Sequence, residues 1–273
     1  MTIQRIMWAL VAAIALGCEA QDRGTQIGTD SPGDTTQPDD AVNEIPATSR
    51  DARPWNASVA TATVAGVVKF SGPIPRRRPV DMSGKLECAR LHSEPILDES
   101  VIVNSNQTLK NTFVWIRRGL EQWQFEAPSK PILLVQRGCR FEPHITGAQI
   151  GQPIEISNGD SCPHNVHAIP RRNPGFNVTQ AAQGAQDTFR FERADVLVTI
   201  KCDIHGWMST YVGVVPHPFF AISDDSGAFR LPALPAGQYT VEATHEVLGS
   251  QRRKLTITEN QTVSVEFTFR DVP

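Results

Sequence analysis

Short runs of Val, Ile, Phe and Thr, broken by Gly, Pro and Asn clusters, repeat from about residue 59 to the end of the chain. Runs of this length and punctuation predict strands joined by turns. The clearest cover residues 64–70, 112–116, 131–135, 153–156, 195–201 and 211–215. No long segment has a helical period, and only residues 83–91 suit a short helix. The spacing therefore predicts an all-β chain of sandwiches or barrels. Residues 19–58 differ: Asp, Thr, Gln, Gly and Pro dominate, and large apolar side chains are few. Such a stretch buries too little surface to offset its backbone entropy, which predicts a flexible tether. Ahead of it, a weakly positive start is followed by an apolar run from Ile6 to Gly17, of signal-peptide length and too short to span a bilayer.

Composition narrows the function classes. With 273 residues and 40% hydrophobic content, two or three small packed domains fit. A net charge of -3 argues against nucleic acid as a partner, and the one basic cluster, Arg76 to Arg78, is brief enough to be a solvated loop. The chain has no Gly-rich phosphate loop, nucleophile elbow or paired carboxylates, so hydrolytic and nucleotide chemistry find no support.

Two motifs carry metal chemistry. The first is Pro163-His164-Asn165-Val166-His167, which follows the strand pattern of residues 151–160. The second is Cys202-Asp203-Ile204-His205-Gly206-Trp207-Met208, set between the runs ending at Lys201 and beginning near Ser209. A thiolate, two imidazoles and a weak thioether satisfy Cu(I) and Cu(II) tolerably well, so little rearranges when an electron moves. Zinc also takes Cys and His, but a thioether such as Met208 does little for it.

Residues 131–216 resemble the amicyanin-like and plastocyanin-like cupredoxins through these paired motifs. The resemblance implies one type 1 copper ion held by His164, Cys202, His205 and Met208 in a Greek-key β-sandwich. It further implies that Asn165 ties the two ligand loops together, that backbone N–H groups tune the Cys202 sulfur, and that His205 is partly exposed as the exit for an electron. Ala15-Leu16-Gly17-Cys18 resembles the lipobox of bacterial lipoproteins, with Cys18 as the lipidated residue. Residues 218–270, with turns at Asp225-Ser226-Gly227 and Pro235-Ala236-Gly237, resemble the carboxypeptidase regulatory-like module, a small transthyretin-like β-sandwich without catalytic residues.

Three further cysteines remain beside Cys18 and Cys202. Export permits disulfides. Cys88 and Cys139 lie outside the ligand motifs and are expected to bridge. Cys162 is then an inert buried thiol, an alternative partner for Cys88 or Cys139, or a perturbation of the copper site. His167 is expected to point away from the metal and to pack or hydrogen-bond, and His144, His217 and His245 to be structural.

The expected organisation is a signal peptide over 1–18, a tether over 19–58 and the copper sandwich over 131–217, followed by the regulatory-like sandwich over 218–273. Residues 59–130 are either extra strands of the copper sandwich or a small domain of their own. The function expected is that of an electron carrier and not a catalyst, lipid-anchored to a bacterial membrane in the periplasm or at the cell surface. Its partner would be a redox protein such as a c-type cytochrome or a periplasmic dehydrogenase. The alternatives are copper handling or sensing, and a surface interaction protein in which copper is structural.

Overall fold

A computed structural model describes residues 44–270. The expected signal peptide, Cys18 and the tether up to residue 43 lie outside the described residues. In chain order the strands are β1 (Arg53–Pro54), β2 (Thr63–Ser71), β3 (Phe113–Arg118), β4 (Trp123–Gln124), β5 (Ile132–Gln136), β6 (Phe141–Glu142), β7 (Ile145–Gln149), β8 (Ile154–Asn158) and β9 (His164–Ile169). They continue with β10 (Phe176–Gln180), β11 (Gln186–Phe189), β12 (Asp195–Lys201), β13 (Ser209–Val215), β14 (Phe220–Ile222), β15 (Ala228–Arg230), β16 (Gly237–His245), β17 (Gly249–Ile257) and β18 (Thr262–Arg270). Helix among the described residues is confined to a 3-10 turn at Ala57–Val59 and to α1 (Leu86–Ala89), inside the span expected for a short helix. The fold is all-β, as the strand pattern predicts.

Two sandwiches take all of these strands but β1 and β4, which pair with each other. The first pairs a five-stranded sheet, ordered β10-β9-β12-β13-β7, with a four-stranded sheet, ordered β11-β8-β5-β6. Leu134, Ile154 and Ile156 from the smaller sheet meet Val166, Ala168, Val198, Ile200, Val212 and Val214 from the larger one. Strand β8 shows why: Ile154, Ile156 and Asn158 are buried and alternate with half-buried Glu155 and Ser157, the period-2 pattern of a strand with one face inward.

The second sandwich pairs the sheet β14-β3-β16-β17 with the sheet β15-β2-β18. Residues 59–130 were expected either to enlarge the copper sandwich or to stand alone, and their strand pairing corrects both alternatives. Strand β2 pairs in parallel with β18 from Thr63 opposite Thr262 to Ser71 opposite Arg270, and β3 lies antiparallel between β14 and β16. The core explains this placement, since Val64, Val68, Phe70, Val114 and Ile116 fill the interior left by Phe229, Tyr239, Val241, Phe267 and Phe269.

Strand β3 is buried on both faces. Val114 and Ile116 face the second sandwich's core, whereas Phe113 and Trp115 join Ile145 of β7 and Val215 of β13 in a core between the sandwiches. That is why the run at 113–116 is continuously apolar and not alternating. The Phe113 ring lies over Gly213, where an added Cβ would come within 2.4 Å of it.

Residues 44–58, expected to be tether, are packed. Strand β1 pairs with β4, Trp55 meets Trp123, Phe125 and Phe219 with ring centroids 5.2 Å apart, and Ile45 packs on the core between the sandwiches. The large apolar side chains of Ile45 and Trp55 supply the contacts that hold this stretch in place.

Between β2 and β3 the chain crosses to the first sandwich and returns. Over residues 79–99 this covering segment contributes Val80, Met82, Cys88, Ala89 and Ile96 to the first sandwich's core. Cys88 forms a disulfide with Cys139.

Candidate metal centre

The short loop from Cys202 to Met208 is closed at its base by the Lys201–Ser209 strand pair. Within it the Cys202 N–H donates to the Met208 carbonyl at 3.1 Å, and the Met208 N–H to the His205 carbonyl at 2.9 Å. These bonds fold Cys202 and His205 inward beneath the start of β9, where His164 is aligned with Gln180 of β10. His164, Cys202, His205 and Met208 are each no more than 1% exposed.

The donors converge. His164 Nδ1 lies 3.0 Å from His205 Nδ1, and Cys202 Sγ lies 3.7 Å from His205 Nδ1. All three donor atoms sit within 4.8 Å of one another. Two imidazole nitrogens about 2 Å from one first-row ion would be roughly 3 Å apart, and a thiolate about 2.3 Å from it would lie roughly 3.7 Å from either nitrogen. The arrangement matches that of three ligands sharing an ion. Met208 packs in the same core as Cys202.

The surroundings orient the donors. The His164 Nε2–H donates to Asp160 Oδ2 at 3.0 Å, which leaves the Nδ1 lone pair directed at the centre. Asp160 is itself held by the N–H groups of Gly138 and Cys139, at 2.7 and 2.8 Å. Asn165 ties the two ligand loops together: its Oδ1 accepts from the Asp203 N–H at 2.6 Å, and its backbone N–H donates to Cys202 Sγ at 3.5 Å.

Burial pushes the Cys202 thiol up, but hydrogen bonds from His164 and from the N–H groups of Asn165, His205 and Ile204 outweigh it and hold the thiol below its ordinary range. Burial, with His164 and Lys85 nearby, holds the His205 imidazole below its usual value, which keeps it neutral at pH 7. Burial acts on His164 in the same direction, yet Cys202 and Asp160 raise it above its usual value. A lowered thiol beside neutral imidazole is the state in which sulfur and nitrogen donate to a metal.

His205 was expected to be partly exposed, and the structure corrects this: it is 1% exposed, and its Nε2 has no hydrogen-bond partner among the described residues. The cause is the covering segment, whose Cys88 Sγ lies with Cys139 Sγ within 4.8 Å of a His205 ring nitrogen. The Trp207 indole N–H, at the same edge, donates to the Cys139 carbonyl at 3.0 Å.

The sequence assigned no role to Asp160 and left that of Cys162 open. Asp160 sits four residues before His164, a spacing that hints at the contact only once the turn between β8 and β9 is known. Cys162 is a free, buried thiol 3.6 Å from Cys139 Sγ and 3.7 Å from His164 Nε2. Burial, with the Asp160 carboxylate beside it, pushes its pKa up. A cleft of about 250 Å³ reaches the outer side of the loop at Trp207 and Met208 and is lined also by His144, Tyr211 and Glu246.

Four further histidines, His144, His167, His217 and His245, lie elsewhere. His167 Nδ1 meets Asp203 Oδ2 at 2.8 Å, and His144 Nε2 meets Glu246 Oε1. His217 and His245 are 4% and 2% exposed; burial holds both well below the usual value, at about 4.

Fold and site together define a β-sandwich with a buried His-Cys-His donor set, joined to a second β-sandwich. Residues 214–270, which run from the end of β13 through the C-terminal strands of the second, match the carboxypeptidase regulatory-like domain. No curated protein matches the chain as a relative. Among solved structures, a copper-containing nitrite reductase from Thermus scotoductus SA-01 is similar at 20% identity and a TM-score of 0.29, over 31% of this chain but only 22% of that one. A purple cupredoxin from Nitrosopumilus maritimus is similar at 20% identity and a TM-score of 0.27, over 30% of this chain and 98% of that one. An oxidised amicyanin mutant is similar at 20% identity and a TM-score of 0.29, over 33% of this chain and 86% of that one. The donor geometry of this chain, and none of these likenesses, carries the assignment of a metal.

Proposed function

We propose that this chain holds one type 1 copper ion at His164, Cys202, His205 and Met208 and acts as a single-electron carrier. The observation that carries this reading is the convergence of His164 Nδ1, His205 Nδ1 and Cys202 Sγ on one point in a buried pocket. When bound, copper supplies a one-electron Cu(II)/Cu(I) couple. The chain's own residues do the rest. Asp160 fixes the tautomer and plane of His164, and the Asn165 N–H withdraws electron density from the Cys202 sulfur. The loop closed between Cys202 and Met208 keeps the donors in place through a change of charge.

Copper handling is the second reading, and the burial of the donors weighs against it. Handing a metal to an acceptor needs an incoming ligand to reach the ion, whereas electron transfer needs only proximity. The wider setting is part of the same proposal: an exported protein, lipid-anchored through Cys18, exchanging electrons with a cytochrome or dehydrogenase through a small, transient interface.

Titration of the full chain with Cu(II) tests the reading. One equivalent is expected to produce intense absorption in the red that a mild reductant bleaches reversibly, and Cys202→Ser is expected to abolish it. Copper uptake with only weak absorption, or the same spectrum from the Cys202→Ser variant, would overturn the assignment.

A further inference from the structure

Three sulfur atoms lie side by side under the covering segment. Cys88 and Cys139 are bonded to one another, and the free thiol of Cys162 stands 3.6 Å from Cys139 Sγ. All three are buried, Cys88 and Cys139 fully and Cys162 with 8% exposure. A thiol in van der Waals contact with a disulfide sulfur is one bond exchange away from a different disulfide.

We propose that Cys162, Cys139 and Cys88 form a thiol–disulfide exchange site that fastens and releases the covering segment over His205. In the forward step a bond forms between Cys162 Sγ and Cys139 Sγ as the Cys139–Cys88 bond breaks. The proton that leaves Cys162 ends on Cys88. One thiol and one disulfide stand on each side of the step, so no external oxidant or reductant is consumed.

The two bridges hold different things. Cys139, in the turn between β5 and β6, and Cys162, in the turn between β8 and β9, both belong to the first sandwich, 23 residues apart. Cys88 belongs to α1 of the covering segment, 51 residues from Cys139. Exchange therefore moves the cross-link from between segment and sandwich to within the sandwich. Once Cys88 is released, the segment keeps only non-covalent ties. These include the His92 Nε2 contact to the Gly138 carbonyl at 2.8 Å, the Glu99–Arg140 ion pair at 2.6 Å and the apolar contacts of Val80, Met82 and Ile96.

Beneath the segment lies the His205 Nε2 atom, buried with no partner among the described residues. An orphaned polar group favours any state in which water reaches it. Release would expose this edge of the imidazole; that this opens an electron path rests on the copper reading above, whereas the exchange itself does not.

Peptide mapping of the full chain under non-reducing conditions, with iodoacetamide as the thiol probe, tests the exchange without any metal. Over hours at mildly alkaline pH, alkylated Cys88 and a Cys139–Cys162 linked peptide are expected to accumulate together. In a Cys162→Ser variant, labelling of Cys88 is expected to fall at least tenfold. Equal labelling of Cys88 in both proteins, or a linkage to Cys202 in place of Cys162, would overturn the proposal. A Cys88→Ser variant should form the Cys139–Cys162 bridge as its main species after air oxidation and show faster hydrogen exchange over residues 79–99. Free thiols at both positions in a folded Cys88→Ser protein would also overturn it. Should that variant not fold, the comparison of the natural chain with Cys162→Ser decides alone, and a chain that fails to bind copper still gives the same answer.

Discussion

The first sandwich takes all nine of its strands, β5 to β13, from the contiguous stretch 132–215, whereas the second draws β2 and β3 from residues 63–118 and its other five strands from residues 220–270. The candidate metal centre sits in the contiguous one, where a single hairpin loop and one neighbouring strand supply every candidate donor. The stitched sandwich encloses it in sequence, and the return trip between β2 and β3 lays a covering segment over His205. The candidate donors thus come from near neighbours, while the segment that covers them arrives from elsewhere in the chain.

The strongest way to break this contrast is to separate the halves. Residues 218–273 alone lack β2 and β3, so Val241, Phe267 and Phe269 lose the partners that bury them. We expect no cooperative thermal transition and an undispersed amide spectrum from that fragment; a dispersed spectrum would show that the module closes unaided.

Acid should act on the stitched sandwich through two histidines held neutral. His217 Nε2–H donates to the Ile116 carbonyl at 2.7 Å while its Nδ1 accepts from the Phe219 N–H, and His245 Nδ1 accepts from the N–H groups of Val247 and Leu248. A second proton on either ring would displace an acceptor contact. Burial leaves both near a pKa of about 4 in the folded chain, below the unfolded value of about 6.5. The unfolded state then takes up protons first as pH falls. Their contribution is complete above about pH 6.5, is lost towards pH 4 and is flat below, by about 3 kcal/mol per histidine at most. Urea midpoints at several pH values should show this slope, and His217→Gln should reduce it; an unchanged slope would remove His217 from the account.

Where the sandwiches meet, Gly213→Ala places a Cβ about where the Phe113 ring now lies, 2.4 Å from its nearest atom. A cost of about 1–3 kcal/mol is expected from this overpacking. Gly206→Ala in the ligand loop, with nothing within 4 Å, should stay within about 0.5 kcal/mol. Chemical denaturation that ranked the two in reverse would deny the close contact. A smaller cost than at Gly213 is expected at Asn165→Ala, which leaves the Asp203 N–H without its acceptor at about 1 kcal/mol. Its clearer reading is a shifted red absorption on copper loading, since the loop that carries Cys202 loses its tie to β9.

Much of the centre was legible in the residues because its determinants are local. Cys202, His205 and Met208 share one loop, and Asn165 follows His164, so spacing alone places them on neighbouring turns. The β-strand runs were legible for a similar reason, as with Ile154 and Ile156 on one face of β8. What escaped was non-local. Nothing in Val64 or Val114 names Phe267 or Val241 as neighbours, because apolar side chains attract without direction and many pairings satisfy the same pattern. The packing of Trp55 was hidden by the polar residues around it.

The order of residues by itself determined the all-β class, the ligand types and their spacing, since backbone pleat and donor chemistry act over a few residues. Only the tertiary structure decided which sandwich owns β2 and β3, that Asp160 orients His164, and that Cys88, Cys139 and Cys162 gather above a buried His205. Those facts depend on which distant segments best exclude water from one another, a competition settled by the whole chain and not by any stretch of it.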